Sequence, residues 1–559
     1  MKLQASSVIR RNITKFAYGS NALAKSWILT FLILALFNQT PLKPLVMAIL
    51  ISPGREGGTT GERSLLFSRN LIAFTGVLWA FHSLIGYAKI ESLKSGLISI
   101  LIQVAAIQCI KLWKPIENLP EATGIEKAKT GSLFFLILTS IFLFSFLSFP
   151  QRLSTFLLGW DHLNGHMWLT SQTYVEGYIR INSQDAIGIY PKAQFPLILS
   201  FSNEPIGFQS LVQGIIFVEI LLAVSALRIL HDLLFRNKHD GKIEKFVQCT
   251  ATISASPILF LFMYYGWTSL LLTTCSLLVL TWQLIGTQNK QSWLIVFFIA
   301  LAALQSWTLI APVVLIVLLF SKMREINKGF MFFASVFGAI NIPSVLAILQ
   351  FSGLHQVSQG FESKSIWFLL VFLGAGLPIS FFMFDARLHL PFKLLVLASY
   401  LEAMFIWLGT IPGVEIPYYA VKVFLMTILF MTPVVISLVF SRIKIQKIKL
   451  LLAGFLLIVL FGYGNVPTSN YSYLNVIQGK NLQTNWLSEN IIQQLSQKNG
   501  SKVILNSVNV ISVSVLLDIG KTKNQGLIAL DSDYICDLRK TRNEYIVLSD
   551  SAASRNKCN

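Results

Sequence analysis

Residues 267–286 read WTSLLLTTCSLLVLTWQLIG, a run without a charged side chain. A helix needs about 20 residues to cross the hydrocarbon core of a bilayer, so this run predicts a transmembrane helix. Further apolar runs of comparable length cover residues 71–88, 95–113, 131–149, 209–230, 247–265, 329–350, 365–384, 394–412, 422–441 and 450–464. The sequence therefore predicts a polytopic α-helical membrane protein with about 13–15 transmembrane helices.

The composition excludes other broad classes of protein. Of the 559 residues, 54% are hydrophobic and 13% are charged, which excludes a soluble globular protein and a disordered chain. The 45 Lys and Arg residues outnumber the 26 Asp and Glu residues, and the formal net charge is +19. The basic residues lie in short gaps between the apolar runs, where they set helix orientation. The expected partner is therefore the lipid bilayer and not nucleic acid.

Two apolar stretches, residues 26–52 and 292–320, are long for one helix and short for two. Pro41 and Pro44 interrupt the first stretch, and residues 305–307 interrupt the second. If both stretches are hairpins, the gaps predicted to be cytoplasmic carry 13 Lys and Arg residues, against 5 in the opposite gaps. Cytoplasmic loops are enriched in Lys and Arg, so the charges favour two helices in each stretch and a cytoplasmic N-terminus.

This orientation divides the chain into two predicted domains. Residues 1–464 form a multi-pass transmembrane domain that includes an external loop at 150–208, and residues 465–559 form a small extracytoplasmic α/β domain. The elements predicted in the second domain are a polar helix at 481–497 and short strands at 502–506 and 545–549. The expected location is the plasma membrane.

The sequence contains no GxxxxGK[ST], helix-opening GxGxxG, HExxH or GxSxG motif, so nucleotide-driven pumping and the common hydrolase mechanisms lack support. The chemistry is expected in the external loop, where Asp161, His162 and His166 follow an apolar segment at the membrane boundary. In a helix, His162 and His166 would share a face that can reach a metal ion or a phosphate. The same spacing is typical of a solvated polar face, and Asp161 is either a catalytic carboxylate or a helix N-cap. No metal site is assigned, and a divalent cation stays an open alternative.

A second group of polar residues lies late in the chain. Glu402 stands inside the apolar run at 394–412, and an acidic residue at such a position is a candidate functional residue. Tyr418, Tyr419 and Lys422 begin the next run at its predicted external end. They fit an ordinary aromatic belt with a lysine that extends to the interface, and they equally fit a site for an anionic lipid head group.

These segments resemble the GT-C superfamily, polytopic glycosyltransferases that take a sugar from a polyprenyl-phosphate carrier on the external membrane face. The nearer likeness is to the actinobacterial cell-wall branch, which includes arabinofuranosyltransferases. The motifs that carry the likeness are Gly159-Trp160-Asp161-His162 with His166, Tyr190-Pro191, and YYAVK from Tyr418 to Lys422. Unlike typical members, this chain has several apolar segments before the loop and no second acidic residue beside Asp161, which leaves a mechanism with one carboxylate.

The resemblance implies a GT-C-like fold, a polyprenyl-phosphate-linked sugar donor, with arabinofuranose as a candidate sugar, and a cell-envelope glycan acceptor. Asp161 would be the base that deprotonates the acceptor hydroxyl, with inversion at the anomeric carbon, and Glu176 and Asp185 are reserve candidates. The residues that would bind the donor or acceptor are His162, His166, Arg180, Tyr190, Lys192, Tyr418, Tyr419 and Lys422. No nucleotide or redox cofactor is required, because the donor already carries its leaving group.

Two other functional classes stay open. A transporter or lipid flippase would use the interrupted stretches and the intramembrane Glu402. A non-catalytic member of the same fold would act as a scaffold for cell-wall assembly. Cys536 and Cys558 lie in polar sequence, and whether they form a disulfide is also open.

Overall fold

A computed structural model describes part of the chain. The described residues are 24–53, 60–93, 96–112, 168–179, 192–204, 206–235, 241–286, 293–322, 335, 374–384, 388–409, 418–462, 502–505, 525–528 and 545–548. The helices of the first half are α1 (Ala24–Phe37), α2 (Lys43–Ile51), α3 (Thr60–Tyr87), α4 (Gly96–Leu112), α5 (Trp168–Glu176), α6 (Gln194–Phe201), α7 (Phe208–Phe235), α8 (Lys242–Ile253) and α9 (Ser256–Tyr265). Those of the second half are α10 (Thr268–Gly286), α11 (Trp293–Ser306), α12 (Ala311–Lys322), α13 (Gly376–Phe384), α14 (Leu390–Gly409), α15 (Tyr418–Arg442) and α16 (Gln446–Gly462).

The described part of the chain is mostly helical and has the long apolar helices of a multi-pass membrane protein. Six helical segments among these residues are long and apolar enough to cross a membrane: Gly61–Tyr87, Gln213–Phe235, Ile243–Met263, Thr268–Ile285, Leu390–Trp407 and Tyr419–Arg442. The predicted span at 131–149 lies outside the described residues, as does the span at 329–350 except for residue 335. The total of about 13–15 spans therefore stays a prediction.

Both interrupted stretches contain two helices, as the sequence predicts, and the orientation that the charges favour stays a prediction. A turn separates α1 from α2, and Pro44 occupies the first turn of α2, where the missing N–H of proline costs no helical hydrogen bond. In the second stretch Trp307 has an extended backbone, and the 3₁₀ turn Thr308–Ile310 follows before α12 begins.

The helical bundle has two ends, and a different lysine marks each of them. Lys422 lies in the second turn of α15, and Lys449 lies at the start of α16, just after α15 has ended. At 1.5 Å per residue, the two ends of the 25-residue helix α15 are about 36 Å apart. At one of them Lys449 Nζ donates to Glu244 Oε1 of α8 over 2.6 Å. We call these two ends of the bundle the Lys449 end and the Lys422 end.

Hydrogen bonds show at which end other helices begin. Arg228, in the last third of α7, donates from Nε to Ser64 Oγ at 2.9 Å and from Nη2 to Gly61 O at 3.2 Å. The beginning of α3 therefore lies beside the last turns of α7. Since α8 follows α7 closely and carries Glu244, α3 begins at the Lys449 end and finishes at the Lys422 end.

Three short strands follow the helices: β1 (Lys502–Leu505), β2 (Gln525–Ile528) and β3 (Tyr545–Leu548). They form a parallel sheet in the order β2-β1-β3. β1 and β3 lie where the sequence predicts strands. The helix predicted at 481–497 lies outside the described residues, as do Cys536 and Cys558, so an α/β domain remains a prediction.

Candidate functional site

The first turns of α15 place a lysine among aromatic rings. Lys422 is buried, and its Nζ lies 4.8 Å from the ring centroid of Trp267 and 5.7 Å from that of Tyr419. A cation over an aromatic face is attracted by the negative potential of the ring, and the attraction grows when water is excluded. The ammonium group is thus held at a fixed place at the Lys422 end.

A chain of contacts links this lysine to a second buried one. The Tyr419 ring lies 6.0 Å from the ring of Trp307, the extended residue between α11 and the 3₁₀ turn. Just before it, Gln305 O accepts the backbone N–H groups of Lys192 at 2.9 Å and of Ala193 at 2.8 Å. Lys192 is 6% exposed. Two lysines that are far apart in the sequence therefore belong to one region of the structure, which we call the two-lysine site.

Three helices begin at the two-lysine site. α6 starts directly after Lys192 and Ala193 and has no side-chain cap, α10 starts directly after Trp267, and α15 starts at Tyr418. The first turn of a helix has backbone N–H groups without intrahelical partners and carries about half a positive charge. Helix beginnings are therefore ready sites for anions. Two lysines and the beginnings of three helices therefore lie in this region.

A carboxylate lies next to the two-lysine site. Glu219 of α7 is 1% exposed, and its Oε1 accepts a hydrogen bond from Thr268 Oγ1 at 2.6 Å. Thr268 is the first residue of α10 and follows Trp267. Glu219 is not among the site residues predicted from the sequence, although it is an acidic residue in the apolar run at 209–230, just as Glu402 is in the run at 394–412.

The helix α6 differs from the sequence prediction. All eight residues of Gln194–Phe201 are buried, and α6 packs against α7, α3 and α2, whereas these residues were predicted to belong to the external loop. Gly214 permits the close contact with α7, since a Cβ there would lie 2.2 Å from Ser202 Oγ and 2.9 Å from Ile198 O. An apolar run of eight residues is too short to be recognised as a span, which explains the difference.

The segment around α5 is attached to the same end of the bundle. Leu93 N, after α3, donates to Gly177 O at 2.7 Å, and Gly177 has a φ of +84°. Tyr174 OH donates to Glu204 Oε2 at 3.3 Å, and Glu204 N donates to Asn38 O at 2.8 Å. Burial, and then the neighbouring Glu204 carboxylate, raise the pKa of Tyr174 well above its ordinary value, so it remains a donor. The strand β2 also contacts α5.

The structure brings some of the predicted site residues together. Lys192, Tyr419 and Lys422 belong to the two-lysine site, Tyr418 is the first residue of α15, and Glu176 is the last residue of α5. Glu402 is buried in α14. The predicted residues that lie outside the described ranges are Asp161, His162, His166, Arg180, Asp185 and Tyr190.

Among the residues that the structure describes, no group of three His, Cys, Asp or Glu side chains could hold a metal ion. The open question of a divalent cation falls on Asp161, His162 and His166, outside these ranges. What the two-lysine site offers is buried positive charge, aromatic surface and one carboxylate. Such a combination suits a ligand with an anionic group and a polar, ring-shaped part.

Comparison with known proteins finds no matching family model, curated protein or solved structure.

Proposed function

We propose that this protein is a membrane glycosyltransferase that moves a sugar from a polyprenyl-phosphate carrier to a cell-envelope glycan acceptor. The observation that supports this best is the two-lysine site, where Lys192 and Lys422 are buried beside the beginnings of three helices. Lysine ammonium groups and helix beginnings are both groups that bind phosphate. We propose that the phosphate of the lipid carrier binds there, since the site lies at one end of helices that are long and apolar enough to cross a membrane.

The reaction needs positive charge at the leaving group. In the proposed displacement, the acceptor oxygen bonds to the anomeric carbon, the bond to the lipid phosphate oxygen breaks, and the phosphate leaves with the electron pair. Lys422, held over Trp267, would stabilise the charge that develops on this phosphate, with Lys192 or Arg180 beside it. Asp161 would take the proton of the acceptor hydroxyl, and Glu176 or Asp185 would replace it if Asp161 is not the base.

The neighbouring residues suit supporting roles. The rings of Trp307 and Tyr419 lie 6.0 Å apart near the lysine and are tilted by 35°, and we propose that they, like Tyr190, offer faces on which a sugar ring can lie. His162 and His166 would hydrogen-bond the sugar or the phosphate. Glu219 would act as a positioning residue, because its bond to Thr268 holds the beginning of α10.

The distribution of charge supports the proposed orientation. The Lys449 end carries many basic residues, including Arg228, Lys242, Lys245, Arg442, Lys444, Lys447 and Lys449. The positive-inside rule assigns such an end to the cytoplasm. The two-lysine site and the strands of the proposed C-terminal α/β domain would then lie outside the plasma membrane, where the acceptor glycan is expected.

A lipid transporter is the second candidate, and one observation favours it. α6 is a wholly buried helix of eight residues whose beginning adjoins a buried lysine, and transporters bind anionic substrates at the beginnings of such short helices. A transporter would move the lipid phosphate without breaking a bond.

Glycosyl transfer by the purified protein in nanodiscs tests the proposal. The donors are radiolabelled polyprenyl-phosphate sugars and the acceptors are cell-wall glycan fragments, with Asp161→Asn and Lys422→Gln as variants. Lys89→Gln is the matched control, because Lys89 is an exposed lysine at the Lys422 end. We expect transfer by the wild type and the control, with loss in both site variants and an inverted product. Saturable donor binding without transfer would contradict the proposed enzymatic function and favour a transporter. If the protein neither binds nor transfers any donor, the scaffold is the remaining hypothesis.

A further inference from the structure

A buried arginine stands apart from the two-lysine site. Arg69 lies in α3, the membrane-spanning helix that begins at the Lys449 end, and is 3% exposed. Its Nε and Nη2 both donate to the side-chain oxygen of the neighbouring Asn70, at 3.3 and 3.0 Å. Nη1 has no hydrogen-bond partner, and no carboxylate pairs with Arg69 among the residues that the structure describes.

A second buried arginine of the bundle, Arg228, has more partners than Arg69. Arg228 is also 3% exposed, but its guanidinium donates to Ser64 Oγ and Gly61 O, and Asp232 lies close enough to interact with its charge. Among the described residues, Arg69 has one uncharged acceptor for the same group. A guanidinium keeps its proton in proteins, so Arg69 cannot lose its charge to avoid the cost of burial.

The orientation of the Arg69 guanidinium is fixed by a second hydrogen bond. Asn70 Nδ2 donates to Ile51 O at 3.1 Å, and Ile51 is the last residue of α2. This bond directs the Asn70 oxygen toward Arg69 and leaves Nη1 for another acceptor. α2 also faces outward, since Leu45 is 52% exposed and Ile49 is 63% exposed, so the group lies just behind the lipid-facing surface.

The depth of Arg69 matches that of a lipid head group. Arg69 is nine residues into α3, about 14 Å from its beginning, and α3 is longer than a hydrocarbon core of about 30 Å. Helical side chains point toward the beginning of their helix, which brings the guanidinium close to the hydrocarbon boundary at the Lys449 end. Phospholipid phosphates lie at that boundary.

We infer that Arg69, oriented by Asn70, binds the phosphate group of an anionic phospholipid at the Lys449 end. A phosphate oxygen accepts from Nη1 and supplies the missing negative charge, and guanidinium matches phosphate in both charge and geometry. This site is separate from the two-lysine site and does not depend on the proposed reaction.

Lipid binding by the delipidated full-length protein in detergent tests this site. The probes are phosphatidylglycerol, phosphatidylcholine and inorganic phosphate, followed by native mass spectrometry and by the thermal unfolding midpoint. The variants are Arg69→Gln and Arg69→Lys. The matched control is Arg63→Gln, since Arg63 is an exposed arginine of the same helix.

We expect phosphatidylglycerol to bind the wild type and Arg63→Gln more tightly than phosphatidylcholine, and Arg69→Gln to weaken its binding by about 10- to 100-fold. Arg69→Lys should retain part of the affinity. If inorganic phosphate raises the thermal unfolding midpoint as much as phosphatidylglycerol does, Arg69 binds an anion, but that anion is free phosphate and not a lipid. The inference is overturned if the wild type binds the two lipids equally well, or if Arg69→Gln binds phosphatidylglycerol as tightly as the wild type does. The first of these comparisons uses the wild type alone, so it does not depend on whether a variant folds.

Discussion

Lys422 Nζ lies 4.8 Å from the centre of the Trp267 ring, although 155 residues separate the two in the chain. The lysine belongs to the beginning of α15, and the tryptophan stands immediately before α10. This contact therefore joins the beginnings of two helices that are long and apolar enough to cross a membrane, and it determines where the ammonium group is held.

Replacing Trp267 by leucine should weaken donor binding. The cation–π contact contributes about 0.5–2 kcal/mol, so we expect the KM for the lipid-linked donor to rise about 2- to 30-fold. Trp267→Phe keeps an aromatic face and should show a smaller rise. Steady-state kinetics of the two variants give the comparison, and equal effects would show that the volume of the side chain matters and the ring does not.

The bond between Glu219 and Thr268 should be measurable by a double-mutant cycle. Thr268→Val removes the donor from a buried carboxylate, and hydrogen bonds to charged groups contribute about 1.5–3 kcal/mol. We expect a coupling energy in that range between Thr268→Val and Glu219→Gln in the free energy of unfolding by detergent. Thr274→Val is the matched control, because its hydroxyl donates to Leu270 O in the same helix and should not couple to Glu219.

Gly177→Ala should loosen the segment around α5. The residue has a φ of +84°, and an added Cβ would lie 2.8 Å from Glu91 Cβ and 3.1 Å from Glu91 Cα. We expect a cost of about 1–3 kcal/mol and faster proteolysis near α5. Gly96→Ala meets no atom within 4 Å and should leave both stability and proteolysis unchanged. A Gly177→Ala protein as resistant as the wild type would contradict this expectation.

The ion pair between Lys449 and Glu244 should contribute little. The side chains are 11% and 36% exposed, and pairs that water can reach contribute about 0.2–1 kcal/mol. We expect Lys449→Glu to lower the unfolding midpoint and the added change Glu244→Lys to restore it, with both effects smaller at high salt. Failure of the double variant to recover would mean that the two groups act through other neighbours.

The sequence predicts the helical breaks well because their causes are local. Pro41 and Pro44 limit the backbone directly, so two helices in that stretch follow from the residues themselves. The position of Glu219 beside Thr268 depends instead on how α7 packs on α10, and no local pattern indicates it. The sequence nevertheless shows Glu219 as an acidic residue in an apolar run, and such a residue rarely lacks a role.

The short helix α6 is an element that the sequence does not predict. Its residues 194–201 read QFPLILSF, which is apolar enough to be buried but too short to be distinguished from a surface loop. Only the packing against α7 reveals its place in the bundle. For Lys192 the sequence predicted participation in the site, but its proximity to Gln305 rests on tertiary structure.

Two main-chain hydrogen bonds connect the beginning of α6 to the end of α11, from the N–H groups of residues 192 and 193 to the backbone oxygen of Gln305. Any amino acid except proline supplies such an N–H, and every amino acid supplies the carbonyl. Mutations at these three positions can therefore change the side chains without removing these two hydrogen bonds. Selection for a new substrate at this place would not have to rebuild the scaffold that presents it.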